Sequence, residues 1–370
     1  MKHLLELVNS KINVRQFGFD RVVLFTSLID IGEKILNEDV DVVILPRGSN
    51  PISNFLIQKG ALKKAITDSA CDIIFCPGGT VPPIDLPYVS MSQNMLVFEK
   101  KERNRFPWGP LRWRYQFLHF LQSRSLLRAT GNIFISDYAK EYICTLLPAL
   151  TNLPSRVIPL GASMKFKKVP RTQLSIEDKL SVSGTFTLTY VSIVNYYKHQ
   201  WNVVEAVAQL RAAGYPVTLK LVGPVINDVV KRLAQATVGR EDFVEYLGAV
   251  PYEEIEDIYH NTDLFIFASS CENMPNVLVE AMSAGLPIAS SSYGPMPEVL
   301  KDGGHYFDPL DINDIASAIK YLLENASERM VLSERAYRYA QAYTWRECSE
   351  QTFTFLSEIL RKKGQTTKPQ

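Results

Sequence analysis

The chain has 370 residues, 46% of them hydrophobic, with 40 Lys and Arg against 39 Asp and Glu for a formal charge of +1. That length suits two domains of ordinary size, each with its own packed core, and the charge balance excludes a global field that would gather nucleic acid or membrane. The longest apolar runs fall well short of the ~20 residues a bilayer span needs, and residues 1–6 have neither the apolar core nor the cleavage site of a secretory signal, so a cytoplasmic protein is expected. The five cysteines, at 71, 76, 144, 271 and 348, are odd in number, scattered and without a Cys-x-x-Cys pair. They read as reduced thiols rather than a disulfide frame or a structural zinc site.

In chain order, residues 4–8 open in a helix, and strands are expected at 22–25, 40–45, 73–76, 88–91 and 132–135, alternating with helical segments. Such alternation calls for a parallel sheet with helices on both faces. Between positions 100 and 128 lie Lys100, Lys101, Arg103, Arg105, Arg112, Arg114, Arg124 and Arg128 against Glu102 alone, interleaved with Phe106, Trp108, Trp113, Tyr115, Phe117 and Phe120. A cationic and aromatic segment of this kind suits either the headgroup layer of an anionic membrane or a core helix with a solvated basic face. Nucleic acid is not an expected partner, because no RNA- or DNA-binding motif accompanies the segment.

The division between domains is placed near Ser163, giving a first domain over 1–162 and a second over 163–345, with a polar loop over 167–185. Strands follow at 188–192, 218–224 (ending in a turn), 244–251 and 264–268, and helices at 198–207 and 277–284. After Thr344 and Trp345, residues 346–370 carry a terminal helix and tail.

The most informative stretch runs from Ser269 to Pro287, where an apolar strand passes through a short loop into a helix stopped by Gly285 and Pro287. Pro275 suits a first helical turn, which would leave the amides of Asn276, Val277 and Leu278 pointing out of the helix start, a natural phosphate site. Glu272 lies in the loop, and Glu280 stands one turn after Asn276 on the same helix face. A diphosphate on those amides places Glu280 near a ribose and Glu272 near whatever the diphosphate carries. Alone, the same residues also describe an ordinary strand–helix unit with two solvated glutamates.

The full pattern is longer than that pair. Glu272-x-x-Pro275-Asn276-x-x-x-Glu280-Ala281-x-x-x-Gly285-x-Pro287, followed by Pro297-Glu298-Val299 and Gly303-Gly304-His305-Tyr306-Phe307, resembles the donor-site signature of the retaining glycosyltransferases of family 4. The resemblance implies the GT-B fold: two Rossmann-like, doubly wound parallel-sheet domains facing each other across a cleft, with the C-terminal helix crossing back onto the first. It implies transfer of a glycosyl group from a nucleoside diphosphate sugar with retention of configuration, no cofactor and no metal. The expected roles are Glu272 on the donor sugar's hydroxyls, Glu280 on the ribose, and Lys198 with the amides of Asn276, Val277 and Leu278 on the departing diphosphate. Gly223 and Val250, at the ends of strands that border the nucleotide in the family, are expected near the ribose and base. Asp39-Val40-Asp41 spells the Asp-x-Asp that other glycosyltransferases use for manganese, but it runs straight into a strand and reads as an acidic strand entrance.

Three departures stand beside the resemblance. Where the family has Gly-Arg ahead of its lysine this chain has Ser192 and Ile193, losing a bidentate guanidinium. Where relatives have His-Asp it has Gln93 and Asn94, candidate sugar or acceptor contacts that cannot shuttle a proton at neutral pH. Relatives begin with a strand where this chain begins with a helix, which leaves either an unpaired ladder or residues 22–25 in that place. By resemblance the acceptor is lipid-linked or an oligosaccharide at the cytoplasmic face of the inner membrane, and the setting is bacterial surface polysaccharide assembly with a mannose- or rhamnose-like donor. The competing readings are a noncatalytic GT-B subunit and an epimerase or phosphorylase on the same fold. Cys271, beside Glu272, is expected to be a packed thiol.

Overall fold

The computed structural model describes residues 2–10, 12–28, 31, 34–37, 39–46, 51–81 and 84–366. Contacts divide the chain into two compact units: one of residues 1–93, 116–161 and 345–370, the other of residues 94–115 and 162–344. Residues 94–115 thus cluster with the second unit, where the sequence suggested an unbroken first domain over 1–162. The reason is local: Ser270 donates to the Glu102 carboxylate at 2.9 Å, and the Phe106 ring meets Tyr196 edge-on with centroids 4.9 Å apart.

The first unit carries β1 (Val22–Thr26), β2 (Val40–Ile44), β3 (Ile74–Cys76), β4 (Tyr88–Met91), β5 (Gly131–Phe134) and β6 (Ser155–Val157). These form two separate sheets, a parallel pair β1-β2 and a parallel sheet β3-β4-β5-β6. Among the described residues β1 bonds to β2 and does not join the larger sheet, so residues 22–25 do not fill a place within it. β4 and β5 are buried along their whole length, as central parallel strands covered on both faces must be. The opening helix Lys2–Asn9 packs against the terminal helix Trp345–Thr366, with Ser349 donating to the Leu7 carbonyl at 3.2 Å. Phe353 of that terminal helix also stacks on Phe17 at 6.1 Å, and Arg156 pairs with Glu358 at 2.9 Å, so the last helix belongs to the first unit.

The second unit holds β7 (Phe186–Val191), β8 (Val217–Val222), β9 (Val244–Gly248), β10 (Leu264–Phe267), β11 (Ile288–Ser291) and β12 (His305–Phe307) in one fully parallel sheet of order β12-β11-β10-β7-β8-β9. This is the doubly wound Rossmann order, whose switch point lies between the neighbours β7 and β10. The apolar, β-branched and aromatic composition of these strands buries both faces, and Leu188, Phe265, Ile266 and Ile288 have no exposed surface. Helix Asn276–Ser283 covers one face with Leu278, Val279 and Met282, and it ends where Gly285 takes φ +67°, a left-handed terminator that would bring any Cβ to 2.6 Å from the Lys168 carbonyl.

Candidate functional site

Ligands of open parallel sheets lie beyond the carboxyl ends of the strands at the switch point, and both residues singled out for catalysis stand there. The chain leaves β7 through residues 192–199 and leaves β10 through residues 268–275. The Ser270 amide donates to the Tyr197 carbonyl at 2.8 Å, tying the two loops together. Across them Lys198 Nζ forms a direct ion pair with Glu272 Oε1. The side chains are only 9% and 14% exposed, and the ammonium lies 5.3 Å from the Tyr197 ring centre and 5.2 Å from that of Phe267. A cation so enclosed needs an anion, and the ring faces supply the remainder of its electrostatic support. Tyr190 fixes the loop by donating to the Lys198 carbonyl at 2.7 Å.

Glu280 is buried, and it accepts hydrogen bonds from the hydroxyls of Tyr252 at 3.3 Å and Tyr259 at 3.2 Å. Burial and this carboxylate together hold the Tyr259 hydroxyl well above the ordinary tyrosine range. Neither glutamate is solvated as the ordinary strand–helix alternative would have it: Glu272 is ion-paired and Glu280 is set among phenols.

The helix start differs from the expectation of three free amides. Pro275, at φ −82° and ψ 82°, makes an inverse γ-turn in which the Asn276 amide donates to the Met274 carbonyl at 3.0 Å. The Leu278 amide donates to the Pro275 carbonyl at 2.9 Å, which leaves Val277 as the one of the three with no backbone acceptor among the described residues. Asn276 contributes something else, a buried Oδ1 that no described residue satisfies. A buried carbonyl of this kind costs about 1–3 kcal/mol unless a donor, such as a ligand hydroxyl, reaches it.

Gly223, at the end of β8, has φ +133°, and a Cβ there would lie 2.2 Å from the Ser192 carbonyl oxygen. Only glycine lets the ends of β7 and β8 approach this closely. Its amide donates to the Gly248 carbonyl at 2.7 Å, and its own carbonyl accepts from the Tyr246 hydroxyl at 2.9 Å. Val250, two residues past β9, is half-buried. Cys271 is buried, and burial followed by the carboxylates of Glu99, Glu272 and Glu102 pushes its thiol well above the usual range, so it is a packed thiol and not a nucleophile.

A relay missed by sequence reasoning joins this site to residues 94–115. Arg105 Nε donates to Glu102 at 2.7 Å, Ser270 Oγ donates to the same carboxylate, and His199 Nε2 lies 2.9 Å from Ser270 Oγ. With the Ser270 proton directed at Glu102, His199 carries its proton on Nε2 and donates it. Burial and the neighbouring Arg105 and Arg232 lower the His199 pKa to about 3, which keeps the ring neutral. Beside it Arg105, Arg232 and His199 line a cavity of about 390 Å³, with Arg232 stacked 3.9 Å over Trp201. One signal could have revealed the relay: Glu102 is the single acid in a run of eight cations.

In the first unit Gln93 spends its amide on His3 Nδ1 at 2.7 Å and on the Met91 sulfur at 3.3 Å. Asn94 is exposed and caps the turn Met95–Val97 by accepting from the Leu96 amide. Asp39 and Asp41 stand at the entrance to β2, where Asp41 pairs with Arg21 at 3.4 Å. Within the basic segment, Arg103 is buried and donates to the Val97 carbonyl, and Arg105 is engaged by Glu102, so neither belongs to an exposed cationic patch. The helix Pro110–Arg128 instead exposes Trp113 at 65%, Phe117 at 62% and Phe120 at 59%, with Trp108 at 76% just ahead of it. Positions 113, 117, 120 and 124 fall on one helix face, which ends in Arg124.

Known proteins resemble the chain in both sequence and fold. Residues 172–339 match the family model of the glycosyl transferases group 1. This segment belongs to that group. The chain is 26% identical over 246 residues to the O-antigen chain mannosyltransferase B of Escherichia coli, which covers 65% of this chain and 63% of that protein. It is 21% identical over 263 residues to the capsular polysaccharide biosynthesis glycosyltransferase CapM of Staphylococcus aureus, covering 66% of this chain and 67% of that one. Among solved structures, a sucrose-phosphate synthase from Thermosynechococcus elongatus superposes with a TM-score of 0.76 at 17% identity, covering 99% of this chain and 94% of that one. Anabaena HepE in complex with UDP-glucose superposes at 0.68 with 19% identity, covering 98% and 96%. At such identities the structures speak to the fold alone, which is GT-B. The three segments that matter most here, residues 192–198, 272–280 and 297–307, all lie within the group 1 match.

Proposed function

We propose that the chain transfers a glycosyl group from a nucleoside diphosphate sugar to a lipid-linked or oligosaccharide acceptor, with retention of configuration, in the assembly of a surface polysaccharide. The observation that carries the reading is the Lys198–Glu272 ion pair at the carboxyl ends of β7 and β10. It brings the residues assigned to the diphosphate and to the sugar it carries into contact across 74 positions of sequence. The group 1 match, the O-antigen and capsular relatives and the bound UDP-glucose of HepE support the same reading.

In the proposed reaction the bond between the donor's anomeric carbon and the diphosphate breaks through an oxocarbenium-like transition state, as in glycoside cleavage. The acceptor oxygen bonds to that carbon from the leaving-group side, and its proton goes to the departing diphosphate. The Lys198 ammonium faces the negative charge that grows on the diphosphate, and the Val277 amide adds a hydrogen bond. A preorganised donor of this kind is worth on the order of 3 kcal/mol. As the diphosphate takes over Lys198, Glu272 is freed to accept from the donor sugar's hydroxyls. Glu280 accepts from the ribose hydroxyls, with Tyr252 and Tyr259 holding its carboxylate, and Asn276 Oδ1 takes a ligand hydroxyl. Ile193 supplies no charge, so Lys198 carries the diphosphate with less help than in relatives that have an arginine there.

The reaction needs no metal under this proposal, and EDTA leaves the rate unchanged. Under this proposal the exposed aromatic face of Pro110–Arg128 meets an anionic membrane surface, and the chain works at the cytoplasmic face beside a lipid-linked acceptor. The test is proton NMR of the glycoside formed from an α-linked nucleoside diphosphate hexose. An α-linked product, and loss of nucleotide affinity in Glu280→Gln, are expected. A β-linked product overturns retention, and near-wild-type affinity in the variant overturns the ribose assignment.

A further inference from the structure

The second unit carries a cavity of about 390 Å³ whose wall bears two guanidinium groups, Arg105 and Arg232, and no carboxylate among the described residues. That volume equals about a dozen waters at ~30 Å³ each, which is ample room for a phosphoryl group. Separate stretches of chain build the wall, and side-chain bonds fix them to one another. Arg105 comes from residues 94–115 and is anchored through Nε to Glu102 at 2.7 Å. Tyr196, in the loop after β7, donates to the Asp228 carbonyl at 3.3 Å. Asn202, in the first turn of the helix Gln200–Ala212, donates to the Pro309 carbonyl at 2.8 Å and so holds the turn that brings Leu310 to the cavity. Arg232, on the helix Val230–Thr237, lies 3.9 Å over the Trp201 ring.

The two arginines are held by parts of their side chains that leave donors to spare. Arg105 spends only Nε on Glu102, and its two terminal nitrogens have no acceptor among the described residues. Arg232 has an aromatic ring against its face and no ion pair among the described residues, so the N–H edge of its stacked guanidinium is free to bond. Burial first, and the like charge of Arg105 after it, lower the Arg232 guanidinium from its ordinary range, a tension that an anion between the two would relieve. His199 also lines the cavity but adds no charge, because its ring is neutral. Arg105 and Arg232 against Glu102 leave one positive charge in excess. One guanidinium fork satisfies the two oxygens of a carboxylate, whereas two forks from separate elements suit an anion with three or more oxygens, which is the chemistry of a phosphoryl group.

None of Lys198, Glu272 and Glu280, the residues given to the donor, lines this cavity. The link between the two places is His199, which follows Lys198 in the chain and bonds to Ser270 two positions ahead of Glu272. His199 takes φ 53° and ψ 30°, a left-handed conformation that costs a non-glycine residue on the order of 1 kcal/mol and that the Ser270 bond holds in place. We propose that the cavity between Arg105 and Arg232 binds a phosphoryl group, either free phosphate or the phosphate of an ester, at a site additional to the one Lys198 offers the donor diphosphate. Such a site serves whatever reaction the donor loops catalyse.

The test follows the indole N–H resonance of Trp201 in the full, isotope-labelled chain, assigned with Trp201→Phe, as inorganic phosphate is added at constant ionic strength. A saturable shift is expected. Its dissociation constant should rise at least about tenfold in Arg232→Gln, whose exposed side chain can be replaced without unfolding the chain, and several-fold in Arg105→Lys, which keeps a cation for Glu102 but loses the fork. Lys198→Met with Glu272→Gln should leave the constant unchanged. No saturable shift, or equal affinity in Arg232→Gln, overturns the proposal, and a shift lost in the Lys198 and Glu272 double variant overturns it in favour of the donor's own diphosphate site. Hexyl phosphate titrated in parallel separates the two sources: binding at least as tight as that of inorganic phosphate assigns the site to an ester, and binding of inorganic phosphate alone assigns it to the free anion. Neither donor nor turnover enters the measurement, so a failure here is distinct from a failure of the transferase reading.

Discussion

At the scale of single residues, the account turns on how Lys198 and Glu272 depend on each other. Both are nearly buried, so removing one strands the other's charge at a cost of about 3 kcal/mol. Lys198→Met should therefore lower both activity, by about 10²–10³-fold, and stability, whereas Lys198→Met with Glu272→Gln should recover most of the stability and none of the activity. A double variant as unstable as the single one in denaturant unfolding would contradict the pairing. Gly223→Ala offers a separate check. Its Cβ would meet the Ser192 carbonyl at 2.2 Å on a backbone at φ +133°, so a loss of at least about 2 kcal/mol is expected, read as a fall in the urea midpoint. Glu272, Glu280 and Lys198 were legible in the sequence because strand–loop–helix spacing and a long motif fix them. Glu102 was not, because its contact with Ser270 spans 168 positions and no local pattern announces it. The three free amides expected at the helix start are not found: Pro275 signals that start, but the γ-turn that occupies the Asn276 amide is a matter of its ψ angle.

At the scale of elements, the loop after β7 carries a built-in pH response. His199 has a folded pKa of about 3 against an ordinary value of 6.5, so between those values the unfolded chain binds a proton that the folded chain refuses. Stability is thus unaffected above about pH 6.5 and falls as the pH drops from there toward 3. His3, lowered to about 4 by burial, adds in the same direction in the other unit. The unfolding midpoint should decline between pH 6.5 and 4, and His199→Gln should flatten part of that decline; a midpoint independent of pH in this window would contradict the assignment. The helix Pro110–Arg128 makes a second prediction. Sequence alone left open whether its aromatic residues were core or interface, since both have helical spacing, and the structure exposes Trp113, Phe117 and Phe120 together. Replacing Trp113 and Phe117 by Ser should cut sedimentation with anionic vesicles several-fold with little loss of stability, because both rings are more than half exposed. Equal sedimentation with neutral and anionic vesicles would argue against a membrane face.

At the scale of the whole molecule, the alternation of strands and helices was enough to read two parallel-sheet units, since buried parallel strands appear as short apolar runs such as Leu264–Phe267 whatever surrounds them. What the pattern could not give was membership. Residues 94–115 join the second unit through Glu102 and Phe106, a choice made by side-chain contacts rather than by periodicity. The central claim is that the second unit binds a nucleoside diphosphate sugar through Lys198, Glu272 and Glu280 for transfer. Titration calorimetry of the full chain with GDP-mannose, UDP-glucose and dTDP-rhamnose, with and without EDTA and beside Glu280→Gln, tests it most directly. The account predicts selective binding to one of these classes, indifferent to EDTA and at least about tenfold weaker in the variant, which corresponds to ~1.4 kcal/mol. Binding to none of them, or equal binding by the variant, would contradict it.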